Sequence, residues 1–115
     1  MREIRAGDID WIPGKGYDKR ILLSDETVTP PKTILQQVRF KRGESVPPHY
    51  HNIQTEAFYF LSPGAISIDG TRYEMEEGDV LVCEPREVHE VPPAENDFSI
   101  IVLKIDFEHD DTVWA

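Results

Sequence analysis

Residues 56–73, with the sequence EAFYFLSPGAISIDGTRY, indicate the fold class of this chain. Glu56, Phe58 and Phe60 alternate with the residues between them, which is the period of a β-strand with one buried face. An Asp-Gly pair at 69–70 then separates two short runs of strand-forming residues, and this pair favours the type I′ turn of a tight hairpin. The stretch therefore predicts one strand followed by a β-hairpin.

Short strands and turns continue on both sides of this stretch. Further strands are predicted at Arg20–Leu23, Thr33–Phe40, Val80–Cys83 and Ser99–Phe107. One face of the second of these would carry Ile34, Gln36, Val38 and Phe40. No segment has the pattern of a helix longer than a turn. Many short strands predict an all-β sandwich or barrel, because a flat open sheet would expose two apolar edges.

The length and charge of the chain limit its partners. With 115 residues we expect one domain, whose barrel core spans about residues 17–107. The net charge of −10 predicts no nucleic-acid partner, which needs a basic surface, and no attraction to anionic membranes. No stretch is long and apolar enough to span a bilayer, and the N-terminus lacks the apolar region of a signal peptide.

The single cysteine and the acidic end of the chain give two further expectations. Cys83 has no second cysteine to pair with, so we predict a reduced cytoplasmic protein with a buried, inert thiol. The segment from Glu108 is acidic and is predicted to be partly mobile, with Asp110 and Asp111 in solvent.

Three of the four histidines form a pattern of metal ligands with one carboxylate. His49 and His51 would point to the same face of a strand, and Glu56 would point inward by its parity with Phe58. His89 would join them from a distant strand. Imidazoles and a carboxylate suit a divalent transition metal, which could be Fe, Mn, Ni, Zn, Co or Cu. The alternative is that these are ordinary surface or hydrogen-bonded polar residues.

The spacing of these residues resembles the two conserved motifs of the cupin superfamily. The first motif reads Gly43, five residues, His49-Tyr50-His51, four residues, Glu56 and then Gly64; the second reads Gly78-Asp79, Pro85 and His89. The resemblance covers about residues 40–89 and is to small single-domain members. It implies a double-stranded β-helix, a small jelly-roll barrel, with one metal ion in its mouth bound by His49, His51, Glu56 and His89. It also implies a possible homodimer, which could bury apolar residues at Trp11–Ile12 and Val113–Trp114.

Three residues are weaker predictions for substrate contacts. Gln36 is the polar member of an inward face, although it could lie at the rim in water. Phe58 could line the pocket or belong only to the core. Arg86 precedes His89 and could pair with a substrate carboxylate or phosphate, or with a nearby acid. Tyr50, between two ligands, is predicted to face the opposite side.

Two classes of function fit this sequence. The leading hypothesis is a metal-dependent enzyme acting on a small polar molecule, with either dioxygenase-like or isomerase-like chemistry. The second is a non-catalytic cupin that binds or senses a small molecule or a metal.

Overall fold

The computed structural model describes residues 1–24 and 31–115, and two antiparallel β-sheets account for most of its regular structure. A 3₁₀ turn at Ala6–Asp8 precedes the strands, which are β1 (Ile12–Pro13), β2 (Asp18–Leu23), β3 (Thr33–Phe40), β4 (Val46–Tyr50), β5 (Thr55–Phe60), β6 (Gly64–Ile68), β7 (Thr71–Met75), β8 (Val80–Cys83), β9 (His89–Val91), β10 (Phe98–Ile105) and β11 (Val113–Trp114). None of the described helical segments is long and apolar enough to cross a membrane.

The strands alternate between the sheets in the manner of a jelly roll. One sheet has six strands in the order β1-β2-β3-β10-β5-β8, and the other has five in the order β11-β4-β9-β6-β7. From β3 onward the chain passes to the opposite sheet at each step, except for the hairpin of β6 and β7. The prediction of an all-β jelly-roll barrel is confirmed.

The hairpin turn has the backbone that its sequence predicts. Asp69 and Gly70 both have positive φ angles, 49° and 82°, as a type I′ turn requires. An adjacent strand-to-strand pair, Ile68 with Thr71, closes the hairpin. The predicted β6–β7 hairpin is therefore confirmed.

Strand β10 divides the interior of the barrel into an apolar end and a polar end. It lies between β3 and β5, with Val102 opposite Gln36 on one side and Phe58 on the other. Its inward residues run from Phe98 through Ile100 and Val102 to Lys104, so the apolar series ends in a cation. The functional residues therefore gather at the Lys104 end of the sheet.

The apolar end is closed by packed aromatic rings. Phe60 is fully buried, and Ile66 from the opposite sheet is 1% exposed. The rings of Phe40 and Phe98 stack with centroids 4.7 Å apart, and Tyr17 packs on Phe40 at 6.0 Å. This packed end supplies the rigid support on which the polar end is built.

The C-terminal segment does not fit the prediction of a mobile, solvated acidic tail. Strand β11 pairs with β4, so that Trp114 lies opposite His49, and the amide of Ala115 donates to the carbonyl of Pro48. Asp110 is exposed, but Asp111 is only 5% exposed. The prediction was wrong for Asp111 because its carboxylate accepts hydrogen bonds from backbone N–H groups of residues 52–54, a contact that composition cannot reveal.

Candidate metal centre

Three histidines converge on the inner side of the five-stranded sheet. His49 lies in β4, His51 follows that strand directly, and His89 begins the neighbouring strand β9. His49 and His89 stand opposite each other in the register of the two strands. One ring nitrogen from each histidine lies within 4.8 Å of those of the other two. His89, distant in sequence, is thus a direct neighbour in the sheet.

Each of these imidazoles is held by its Nδ1 atom. His49 Nδ1 is 2.9 Å from the carbonyl of Pro47, and His51 Nδ1 is 2.9 Å from the carbonyl of Asp111. His89 Nδ1 lies 3.3 Å from the carbonyl of Glu87 and 3.2 Å from the sulfur of Cys83. Because a carbonyl only accepts, Nδ1 carries the hydrogen in each neutral ring. The lone pair on Nε2 is then free to bind a metal, as in most histidine metal sites.

The Nε2 atoms lack the partners that buried polar atoms normally have. Those of His51 and His89 are fully buried, and neither has a hydrogen bond. His51 Nε2 lies 2.5 Å from Oε1 of Glu56, but two lone pairs face each other when Nδ1 holds the hydrogen. A metal ion or a shared proton would satisfy both atoms. The donor set therefore fits a divalent transition metal.

Glu56 completes the set from the opposite sheet. Its strand, β5, belongs to the six-stranded sheet, whereas β4 and β9 belong to the five-stranded sheet. Its Oε1 is 3.8 Å from His89 Nε2 and accepts a 2.8 Å hydrogen bond from the amide of Gln54, which is 2% exposed. A metal at this position would therefore join the two sheets.

The pKa values favour the protonation states that a metal needs at most of these positions. Burial raises the pKa of Glu56, but His51 and nearby positive charges outweigh burial and hold it to about 2. Burial lowers the pKa of His49 to about 4, and it also lowers that of His89. Burial lowers the pKa of His51, but contact with the Glu56 carboxylate and the hydrogen bond to Asp111 together outweigh burial. The pKa of His51 is therefore raised above its ordinary value. A metal would thus compete with a proton chiefly at His51.

Asp111 holds the loop of the candidate metal centre in place, and this role was not predicted from the sequence. Its carboxylate accepts hydrogen bonds of 2.8, 2.8 and 3.0 Å from the backbone amides of Asn52, Ile53 and Gln54. Its carbonyl holds the ring of His51. One tail residue therefore fixes the loop between His51 and Glu56. No periodicity or motif marks it in the sequence.

A cavity of about 150 Å³ opens beside the four predicted ligands. Gln36 and Phe58 line it, as do Tyr17, Lys104 and Trp114, whose ring centroid is 4.9 Å from that of His49. The other lining residues are Val38, Phe40, Val46, Ile66, Val91, Ile100, Val102 and Thr112. A smaller cavity of about 80 Å³, between the β6–β7 hairpin and residues 92–98, contains no histidine or cysteine.

Arg86 is not brought into this cavity. It is exposed, has a positive φ of 72°, and donates its backbone N–H to the carbonyl of His51 at 2.6 Å. Its backbone thus supports the ligand loop, and its role as a substrate anchor stays a prediction. Cys83, by contrast, is buried as predicted, and burial together with nearby carboxylates raises the pKa of its thiol to about 12.

Two polar residues of the cavity were missed by the sequence analysis. Lys104 was counted within an apolar strand, yet it faces the cavity directly across from Glu56. Burial lowers the pKa of Lys104. Tyr17 lies before β2, and burial and the charge of Glu56 raise the pKa of its hydroxyl. Only long-range strand pairing places these two side chains beside the histidines.

The jelly-roll barrel and the three inward histidines define a small β-barrel protein with a candidate metal site. Residues 36–104, more than half of the chain, match the family model described as "Cupin domain". The chain therefore belongs to the cupin family, and the resemblance seen in its motifs is confirmed. No curated protein matches the sequence significantly.

Several solved structures share the fold of the chain. KdgF from Halomonas sp. has a TM-score of 0.79 at 22% identity, covering 96% of this chain and 97% of that one. The polyketide cyclase RemF from Streptomyces resistomycificus has 0.81 at 18%, covering 100% and 85%. The nucleoside dehydratase Pac13 has 0.79 at 13%, covering 100% and 91%, and variants of the Streptomyces protein are described with uridine. These low identities establish the fold alone.

Replacing His51 tests whether this residue is a metal ligand or has only a structural role. We expect His51→Ala to lose most bound metal and the thermal stabilisation that added metal gives, since an Nε2 donor is removed. The affinity for the metal should fall by more than the roughly 10- to 100-fold typical when a residue that only hydrogen-bonds to a ligand is lost. Elemental analysis and melting curves with and without metal measure both effects. Tyr50→Ala is the control and should keep its metal; equal metal content in the His51 variant and the parent would refute the assignment.

Asp111→Ala should weaken metal binding although Asp111 is not a predicted ligand. Losing the carboxylate frees three backbone amides and loosens the loop that carries His51, so we expect an affinity about 10- to 100-fold lower and a lower melting temperature. Calorimetric titration with a divalent metal measures the change. Asp110→Ala, on the exposed neighbour, should behave as the parent does. Unchanged affinity in the Asp111 variant would mean that the tail does not position the ligands.

Proposed function

We propose that this chain is a metal-dependent enzyme that acts on a small polar molecule within the barrel. The observation that carries the proposal is the clustering of one ring nitrogen from each of three histidines within 4.8 Å of one another beside an open cavity. A carboxylate oxygen of Glu56 lies 2.5 Å from His51 Nε2 at the same place. His49, His51, His89 and Glu56 would hold the ion. When bound, a divalent metal supplies a Lewis acid that polarises a substrate oxygen. Four protein ligands leave positions for substrate on a five- or six-coordinate ion.

Isomerase-like chemistry, in which protons move and no oxidant is needed, is the better-supported reaction class. The cavity contains a phenol hydroxyl on Tyr17 and an ammonium group on Lys104, and both can hold or transfer a proton. The raised pKa of Tyr17 keeps its hydroxyl protonated, so that it can donate to a substrate oxygen. The described residues provide no hydrogen-bond partner for this hydroxyl. It is therefore available to the substrate.

Two relatives in fold agree with a small-molecule enzyme. One is described as a nucleoside dehydratase and another as a polyketide cyclase. A cavity of about 150 Å³ suits a substrate smaller than most ligands of enzyme pockets, which commonly measure about 300–1,000 Å³. We propose that the ligand is a small molecule of a few heavy atoms.

A homodimer in the cytoplasm completes the proposal. The free thiol of Cys83 suits a reducing compartment. Tyr59 and Val80 are paired across β5 and β8 and are 45% and 54% exposed, and Val82 is 50% exposed on the same outer face. A second copy could cover this apolar surface. Sedimentation should then give twice the mass of the chain, and Val82→Glu should give the monomer mass; a monomeric parent would contradict the dimer.

The Tyr17 hydroxyl gives the sharpest test of the reaction class. Metal-loaded protein incubated in D₂O with small keto and hydroxy compounds should exchange carbon-bound protons, visible by NMR. Tyr17→Phe removes only the hydroxyl, so exchange should slow by about 100- to 10,000-fold while metal content stays unchanged. Tyr59→Phe, on the exposed outer face, is the matched control.

The same panel distinguishes the other hypotheses. Oxygen consumption without proton exchange would replace the isomerase-like reaction by a dioxygenase. Stoichiometric metal with no turnover of any compound would favour the non-catalytic binding protein.

A further inference from the structure

We infer that the cavity binds a small carboxylate-bearing substrate whose anionic group is held by Lys104 and Gln36 beside the metal site. This inference rests on the proposed function and adds the chemical class of the substrate. It is carried by two polar side chains that line the cavity and that the fold itself does not use.

The position of Lys104 is unusual for a lysine. In the register of the six-stranded sheet it stands between Ile34 on β3 and Glu56 on β5. The inward residues that precede it on β10, Ile100 and Val102, are 2% and 3% exposed and belong to the core. An ammonium group at the end of such a row loses much of its hydration, which is costly unless a partner compensates.

Lys104 has no anionic partner within the part of the chain that the structure describes. Its Nζ lies 5.2 Å from the ring centroid of Phe107, a weak cation–π contact. Although Glu56 is directly cross-strand, no ion pair forms between them within 4.0 Å. The carboxylate of Glu56 instead contacts His51 and Gln54. Lys104 lines the cavity without an ion pair, so its ammonium group is available to a ligand there.

With a divalent metal bound, the site would carry a net positive charge and would favour an anionic ligand. A divalent metal ion, the Glu56 carboxylate and the Lys104 ammonium together leave an excess of positive charge among neutral imidazoles. In a partly desolvated cavity that excess is poorly screened, so a negative ligand is favoured there. The site contrasts with the whole chain, whose net charge is −10. A local positive cavity in an acidic protein selects and concentrates small anions.

Gln36 supplies a second donor for that anion. It is 5% exposed, lines the cavity, and lies opposite Val102, which places it diagonally to Lys104 on the same face. In the described chain its side-chain amide has no hydrogen-bond partner, although buried amides normally have one. Its N–H₂ group and the Lys104 ammonium could together donate to the two oxygens of one carboxylate.

The donor set favours a carboxylate over a phosphate. Phosphate sites generally combine several donors, such as arginine forks or a series of backbone N–H groups. No arginine is among the described residues that line this cavity, and Arg86 is exposed outside it. One ammonium and one amide are matched to a carboxylate, and a volume of about 150 Å³ leaves room for only a small molecule.

Ligand binding to the cobalt-loaded protein tests this inference without an enzymatic assay. Co²⁺ content is measured first, and glycolate, ethylene glycol and inorganic phosphate are then titrated while the visible Co²⁺ spectrum is recorded. Glycolate and ethylene glycol differ in the carboxylate, so the parent should bind glycolate at least about tenfold more tightly. Lys104→Met should weaken glycolate binding by about 10- to 100-fold, as expected for loss of a charge-assisted hydrogen bond, and should leave Co²⁺ content unchanged. Lys41→Met, on an exposed lysine that does not line the cavity, is the matched control.

The remaining outcomes distinguish a failure of the carboxylate site from a failure of the metal centre. Equal glycolate affinity in the Lys104 variant and the parent, tighter binding of phosphate, or no binding of glycolate to a cobalt-loaded parent would refute the carboxylate site while the metal centre stands. A parent that binds no divalent metal would refute the proposed function, and the inference with it. A Lys104→Arg variant that keeps most of the glycolate affinity would support the role of the positive charge.

Discussion

The contact between His51 and Glu56 is the constraint on which the polar half of the barrel depends. Their Nε2 and Oε1 atoms approach to 2.5 Å across the gap between the two sheets, and both residues are nearly inaccessible to water. A buried carboxylate costs several kcal/mol unless cations or hydrogen-bond donors surround it. Here an amide from Gln54 supplies one donor, and Nε2 of His51 and Nε2 of His89 have no hydrogen-bond partner. A shared proton or a metal ion at this position would satisfy the two buried nitrogens and the carboxylate.

The barrel can accommodate this polar cluster because one end of its interior is packed with apolar rings and the other end is held by the C-terminal segment. At one end, stacked rings of Phe40, Phe60 and Phe98 fill the space between the sheets. At the other end, the C-terminal segment acts as a brace, with Asp111 bonded to the ligand loop and Trp114 paired with β4. The rigid end fixes the strand register, and the register sets the spacing of the ligands. Polar residues can therefore be concentrated without loss of a unique structure.

The four predicted ligands could be selected from the sequence because their signals are local. His49 and His51 are one residue apart, and Glu56 shares the parity of Phe58, so strand geometry alone orients them. The missing parts are non-local. The sheet to which Glu56 belongs depends on how strands are distributed, and Asp111 meets the ligand loop only after a separation of about 60 residues. Lys104 was hidden within an apolar strand, since a single cation at the end of a core face does not disturb the alternating pattern.

The two sheets divide the chemistry between them. All three histidines come from β4, β9 and the residue that follows β4, whereas Gln36, Lys104 and Glu56 project from the six-stranded sheet. The histidines depend on backbone carbonyls and the tail for their orientation, but Gln36 and Lys104 hold no other part of the fold. Gln36 and Lys104 can thus change without disturbing the three imidazoles, whereas Glu56 contacts His51 directly. If the histidines hold a metal as proposed, that centre would be kept while Gln36 and Lys104 vary, which gives a physical reason why one barrel fold can host sites for different small molecules.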